Sequence, residues 1–111
     1  MLFLIISTPR PDAPSSVAHL RKAFWVWLEE VKASGVMRHF YARAGRGAVA
    51  VVDVDSNNGL HRIMSEWCER IPTTLEVYPL VDDNSARAYL DAHQAVAQDN
   101  FNGDPDLYSK P

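Results

Sequence analysis

Hydrophobic and polar positions alternate with two different periods along this chain, and each change of period marks a predicted element. Residues 1–8 begin with six consecutive apolar residues and are predicted to form a buried strand that ends at the following prolines. Ser15 or Ser16 then offers an N-cap for a helix that runs to about Ser34. The apolar residues of this helix recur at three- and four-residue spacing and form one stripe, made of Leu20, Phe24, Trp27, Leu28 and Val31.

The period changes from helical spacing to alternation after the glycine at position 35. Residues 36–43 are predicted to form one strand, 44–47 a turn with two glycines, and 48–54 a second strand rich in β-branched residues. Two strands joined by so short a glycine-containing turn are typical of an antiparallel hairpin.

The second half of the chain repeats the order of helix and strand. Ser56 is predicted to cap a helix that runs to about Arg70, and a last strand is predicted over 73–81. Asn84 or Ser85 is predicted to cap a third helix. The order is therefore β-α-β-β-α-β followed by an extra helix, which is the α+β class with a ferredoxin-like arrangement.

A ferredoxin-like sheet has helices on one face only, so its other face is exposed to water unless another surface covers it. An apolar sheet face in water is unfavourable, and a second copy that covers it is the simplest solution. We therefore expect one domain over 1–98, a C-terminal tail over 99–111, and a homodimer or a higher homo-oligomer.

Composition and charge narrow the choice of partners. The chain has 111 residues, of which 47% are hydrophobic and 23% charged, which is typical of one soluble globular domain. A net charge of -3 without a basic run argues against nucleic acid and membrane as partners. A single cysteine, Cys68, and the absence of zinc-type spacing predict neither a disulfide nor a metal. The six apolar residues at the start are too few for a secretory signal, which indicates the cytoplasm.

Four short segments resemble, in order and with similar spacing, segments of the muconolactone isomerase family. They are Met1-Leu2-Phe3, Gly35-Val36-Met37-Arg38-His39, Asp53-Val54-Asp55-Ser56-Asn57-Asn58-Gly59-Leu60-His61 and Leu75-Glu76-Val77. That family forms dimeric α+β barrels and shifts a double bond in a small lactone by proton transfer without a cofactor. The resemblance implies the same barrel, no cofactor, and a small-molecule site between the sheet and the helices.

The chain resembles a divergent member of this family, because it differs at one important position of the first helix. Counting back from Gly35 without gaps, the family places a carboxylate general base where this chain has Phe24. Trp25 and Trp27 flank that position, so the wall of the implied site becomes larger and more apolar. This implies a ligand that is bulkier and less charged than a small lactone carboxylate, such as a polyketide- or terpenoid-like intermediate.

Three residues are the candidates for catalysis. His39 is the first candidate acid or base, because its ordinary pKa of about 6.5 suits proton transfer at neutral pH. Glu76 would carry a proton if burial raised its pKa, and Arg38 offers a planar guanidinium for a carboxylate or an enolate. The alternatives are a surface or dimer-interface role for His39 and Glu76, and a structural ion pair for Arg38. Strict alternation places Arg38 on the face opposite Met37 and His39 unless a bulge intervenes.

Four aromatic residues are the candidates for substrate binding. They are Phe24, Trp27, Tyr41 and Tyr78. Tyr41 would donate a hydrogen bond to a developing oxyanion, with a core or interface position as the alternative. Trp25 lies off the apolar stripe of its helix and is expected at a subunit contact or at the mouth of a pocket.

The resemblance and the candidate residues together favour a cofactor-independent isomerase or cyclase that acts by proton transfer on a small hydrophobic molecule. A cofactor-free monooxygenase of the antibiotic-biosynthesis type shares the same barrel and is a second hypothesis, by analogy of fold alone. A non-catalytic protein for small-molecule binding or assembly is the third, and the loss of the carboxylate at Phe24 favours it.

Overall fold

The computed structural model describes the backbone of residues 1–11 and 18–100, and the side chains of these residues up to 96. The predicted cap at Ser15 or Ser16 and most of the predicted tail over 99–111 lie outside the described residues. The elements are β1 (Leu2–Pro9), α1 (Ala18–Ala33), β2 (Met37–Ala42), β3 (Ala48–Asp53), α2 (Asn57–Arg70), β4 (Thr73–Leu80) and α3 (Asp83–Asn100). The α+β class and the ferredoxin-like arrangement are confirmed.

The first of two compact units, Met1–Leu80, contains the whole sheet with α1 and α2. Its four strands lie in the order β2-β3-β1-β4, and every neighbouring pair is antiparallel. The second unit begins at Val81 and contains α3. No helix in the described part of the chain is both long and apolar enough to cross a membrane.

The helix-covered face of the sheet carries the core. Alternate residues of β1 and β3, such as Ile5, Ala50 and Val52, are almost fully buried beneath the helices. The apolar stripe predicted for α1 is confirmed, because four of its five members are buried, and Trp67 brings the stripe of α2 against it. Burial of these large side chains supplies most of the stabilising free energy.

The opposite face of the sheet, called here the open face, is not covered by any helix of the first unit. Half-buried aliphatic side chains occupy its centre on the two middle strands: Leu4, Ile6, Val49 and Val51. The edge strands contribute exposed aromatic and polar side chains on the same face, which are His39, Tyr41, Glu76 and Tyr78. The open face is therefore apolar in the middle and polar at both edges.

A β-bulge interrupts the alternation of β2. Met37 pairs with Val52 and His39 pairs with Val51, so Arg38 is the extra residue between them. Met37 is consequently buried with the core while His39 is exposed. Strict alternation, which placed Met37 and His39 on one face, was wrong here because one inserted residue shifts the strand by one face.

Two predicted element ends also differ from the structure. Pro9 continues β1 beyond residue 8. It is tolerated because it pairs only with Thr73 of β4, and the pairing of β1 with β3 does not extend beyond Ser7. The third helix is capped by Asp82 rather than by Asn84 or Ser85. The Asp82 carboxylate accepts a hydrogen bond of 2.7 Å from the Ser85 amide, and this bond holds the pKa of Asp82 below its ordinary value.

Candidate functional site

An open cavity of about 330 Å³ lies between α1, the end of β1 and the β2–β3 hairpin. It is called here the hairpin cavity, and its lining falls into an aromatic wall and an arginine rim. The aromatic wall consists of Phe24, Trp25, Phe40 and Trp67. The arginine rim consists of Arg21, Arg43 and Arg46. A concave apolar site with a few polar groups at its edge is the usual form of a small-molecule site.

The aromatic wall is packed around Phe24, which belongs to the buried stripe of α1. Its ring centroid lies 5.6 Å from that of Trp25, 6.1 Å from that of Phe40 and 5.7 Å from that of Trp67. Trp25 follows Phe24 in sequence and therefore points away from the stripe, with half of its surface exposed. Its ring meets Phe40 edge-on at 80°, so a large aromatic surface borders the mouth of the cavity.

The arginine rim comes from α1 and from the hairpin turn. Arg43 donates through Nη1 to the Thr8 hydroxyl at 3.0 Å and to the Ser7 carbonyl at 3.5 Å. Arg46 donates through Nη1 to the carbonyl of Arg10 at 3.2 Å. The described lining contains no Asp, Glu, His, Cys, Lys or Tyr side chain. The described lining therefore carries positively charged side chains and no negatively charged one, and it offers no side chain with an ordinary pKa near 7.

Glycine allows the hairpin turn to close against β1 beneath this rim. Gly47 has a φ of 107°, and a Cβ atom placed on it would lie 2.5 Å from the carbonyl oxygen of Ser7. The Arg43 amide donates to the Gly47 carbonyl at 2.9 Å, which closes the turn. The close approach of Gly47 to β1 thus determines where Arg43 leaves the backbone.

A buried hydroxyl pair lies at the base of the cavity. Ser7 and Thr73 are both almost fully buried, and their hydroxyl oxygens are 2.6 Å apart. Ser7 also lines the hairpin cavity, but its hydroxyl is already engaged by Thr73. The pair therefore satisfies two polar groups inside the core and does not present a nucleophile.

A second open cavity, of about 470 Å³, lies between α1 and α2 at the other end of the sheet. Its lining includes Trp27, whose indole donates to Glu66 at 3.3 Å. Arg62 also binds Glu66 at 3.3 Å, and the guanidinium of Arg70 lies 5.5 Å from the Trp27 ring. These groups link the two helices to each other. In the described part of the chain, no three His, Cys, Asp or Glu side chains are grouped to hold a metal ion.

The predicted catalytic residues His39 and Glu76 lie on the open face and not in either cavity. The His39 ring stacks on Tyr41, with centroids 6.4 Å apart. Glu76 accepts a hydrogen bond of 2.8 Å from the Tyr78 hydroxyl, and this bond raises the pKa of Tyr78. The two pairs occupy opposite edge strands, which are three strand spacings or roughly 14 Å apart. Within one protomer the structure does not bring them together.

Arg38 forms an ion pair with the neighbouring strand. Its Nη2 lies 2.8 Å from a carboxylate oxygen of Asp53, and the amino group of Met1 lies 3.1 Å from the other. The hydrogen bond from the Met1 amino group, followed by the one from Arg38, holds the pKa of Asp53 below its ordinary value. This contact is the structural ion pair that stood as the alternative to substrate binding.

Of the predicted binding residues, the structure places Phe24 in the hairpin cavity, Trp27 in the second cavity, and Tyr41 and Tyr78 on the open face. Sequence reasoning did not identify Arg43 or Phe40 as lining residues. The sequence signal for Arg43 was the turn Arg43-Ala44-Gly45-Arg46-Gly47, in which arginines alternate with glycines that let the turn approach β1 closely.

Comparisons with known proteins place the chain in a family but find no relative of curated function. No protein of curated function matches the chain. A family model described as a domain of unknown function, DUF3303, matches residues 1–94, which include the whole sheet, α1 and α2. Because the match covers far more than half of the 111 residues, the chain belongs to the DUF3303 family.

Proposed function

We propose that this protein binds a small hydrophobic molecule in the hairpin cavity. The observation that carries the proposal is the open cavity of about 330 Å³ with an aromatic wall. Ligand pockets usually have volumes of about 300–1,000 Å³ and are mostly apolar. Trp25 at the mouth is half exposed, so it offers part of its aromatic surface to a ligand.

Trp25 provides the direct test of this site. Titration with naphthalene derivatives, followed by tryptophan fluorescence and calorimetry, is expected to saturate with one ligand per chain. Trp25→Ala should weaken binding at least about tenfold, because an aromatic contact and its buried area are lost. Val26→Ala is the matched control, since Val26 is the next residue and is also exposed. Equal affinity of the two variants would contradict the proposal.

The same proposal includes a homodimer formed through the open face. Half-buried aliphatic residues at its centre, with polar and aromatic residues at its edges, follow the usual anatomy of an interface. The resemblance to the muconolactone isomerases, which form dimeric α+β barrels, implies such a pairing. Val51→Lys should produce monomers in size-exclusion chromatography with light scattering, whereas Val26→Lys on the outer side of α1 should not. A Val51→Lys protein of unchanged mass would contradict the dimer.

Proton transfer on a small molecule enclosed between two paired open faces, as in an isomerase or a cyclase without a cofactor, is the second candidate function. It is favoured by the position of His39 and Glu76 on the open face, where pairing of two copies would enclose them. An unsaturated lactone incubated in D₂O should then gain deuterium at the carbon that exchanges its proton. His39→Ala and Glu76→Gln should each slow this incorporation. If neither variant changes the rate, proton transfer by these residues is excluded and binding is the one candidate function that stands.

A further inference from the structure

The charged side chains of the hairpin cavity indicate which class of ligand it binds, and this inference rests on the proposed function. The resemblance to the muconolactone isomerases implies a ligand with little charge, because Phe24 stands where that family has a carboxylate. The hairpin turn, however, brings arginines to the same cavity, and the described lining holds no acidic side chain. An apolar ligand without charge would leave the Arg43 guanidinium with neutral acceptors alone among the described residues.

Arg43 is the arginine of the rim that is tethered to β1. Both of its contacts use the same nitrogen, Nη1, and both acceptors are neutral, the Thr8 hydroxyl and the Ser7 carbonyl. A guanidinium has five N–H donors, so Nε and Nη2 retain theirs with no acceptor among the described residues. These two nitrogens form one edge of the planar guanidinium, which is the edge that binds a carboxylate through two parallel hydrogen bonds.

The backbone around Arg43 limits its movement. Its amide is bonded to Gly47, and its Cδ lies 3.3 Å from the position that a Cβ atom of Gly47 would take. Its guanidinium is tethered to β1 by the two contacts through Nη1. Arg43 is therefore held beside the cavity before any ligand arrives, which reduces the entropic cost of binding.

The aromatic wall determines the rest of the ligand. Phe24, Trp25 and Phe40 are mutually in contact, with ring centroids 5.6 to 6.1 Å apart. Such a surface binds a flat conjugated body by offset or edge contacts. We infer that the ligand is a planar hydrophobic carboxylate, with its conjugated body on the aromatic wall and its carboxylate on Nε and Nη2 of Arg43.

Two probes of the same shape test this inference. 2-Naphthoate carries the carboxylate, and 2-naphthamide replaces it with a neutral amide of nearly the same size. Calorimetry should show that the full chain binds 2-naphthoate at least about tenfold more tightly than 2-naphthamide. Arg43→Gln should remove that preference while retaining the affinity for 2-naphthamide within about a factor of two. Its thermal unfolding shows whether the fold is intact.

Arg62→Gln is the matched control, because it removes the same charge from the second cavity. It should leave the preference for 2-naphthoate unchanged. Equal binding of both probes by the unaltered chain, or a preference that survives Arg43→Gln, would overturn the carboxylate inference and leave the proposed binding site standing. If neither probe binds, the proposed site and the inference both fail. Tight binding of a single-stranded oligonucleotide without binding of 2-naphthoate would also overturn the inference.

Discussion

Gly47 is the position where the hairpin turn touches β1, and replacing it with alanine should damage the fold more than the size of a methyl group suggests. Its φ of 107° lies where residues with a Cβ are strained, at a cost of about 1–3 kcal/mol. The new Cβ would also lie 2.5 Å from the backbone oxygen of Ser7. A backbone atom cannot rotate away as a side chain can, so the strands must separate, at a further cost of about 1–3 kcal/mol.

Gly45 in the same turn separates these two effects. Its φ of 92° imposes a similar backbone strain, but a Cβ atom there would have no neighbour within 4 Å. Both alanine variants should therefore lose stability, and Gly47→Ala should lose about 1–3 kcal/mol more than Gly45→Ala. Because the whole stability of a small domain is about 5–15 kcal/mol, this difference is easily measured.

Urea unfolding followed by circular dichroism provides the measurement. The free energy of unfolding should fall for each variant while the slope against urea concentration stays unchanged, since the surface exposed on unfolding is the same. If the two variants differ by less than about 0.5 kcal/mol, the contact with Ser7 does not constrain the turn and the reasoning is refuted. Gly47→Ala should also weaken binding of 2-naphthoate, because it displaces Arg43.

Two other substitutions have defined outcomes. Thr73→Val leaves the buried Ser7 hydroxyl without its partner and should cost about 1–3 kcal/mol of unfolding free energy. The double variant with Ser7→Ala should recover much of this loss. Strictly additive losses in urea unfolding would contradict the pairing. Asp53 has a lowered pKa, so its contribution to stability is present above the unfolded pKa of about 3.9 and is lost as pH falls through the lower folded pKa. Asp53→Asn should therefore flatten the fall of the melting temperature in acid, and an unchanged acid profile would show that its contacts with Met1 and Arg38 do not stabilise the fold.

Local patterns were sufficient to predict most of the helices and strands. The stripe around Phe24 and Trp27 specified the buried side of the first helix because residues three and four apart share one face of any α-helix. Ser56 accepts a hydrogen bond of 3.1 Å from the Gly59 amide, so a local signal also specified where the second helix begins. These features depend on neighbours within four residues.

The bulge at Arg38 shows where local patterns fail. Nothing in the alternation of β2 indicates an extra residue, because the bulge is defined by the partner strand. Its consequence is large, since it places His39 on the open face and lets Arg38 reach Asp53. Strict alternation placed Arg38 and His39 on opposite faces unless a bulge intervened, and only the pairing of β2 with β3 shows that bulge.

The sequence by itself determined the α+β class, the order of the elements and the apolar stripes, because propensity, capping and periodicity act within a few residues. Only the tertiary structure brought Arg43 of the hairpin turn beside Phe24 of the first helix. It likewise separated His39 and Glu76 to opposite edges of the sheet. Such distances depend on strand order and on backbone contacts such as that of Gly47 with Ser7, which join residues 40 positions apart in the chain.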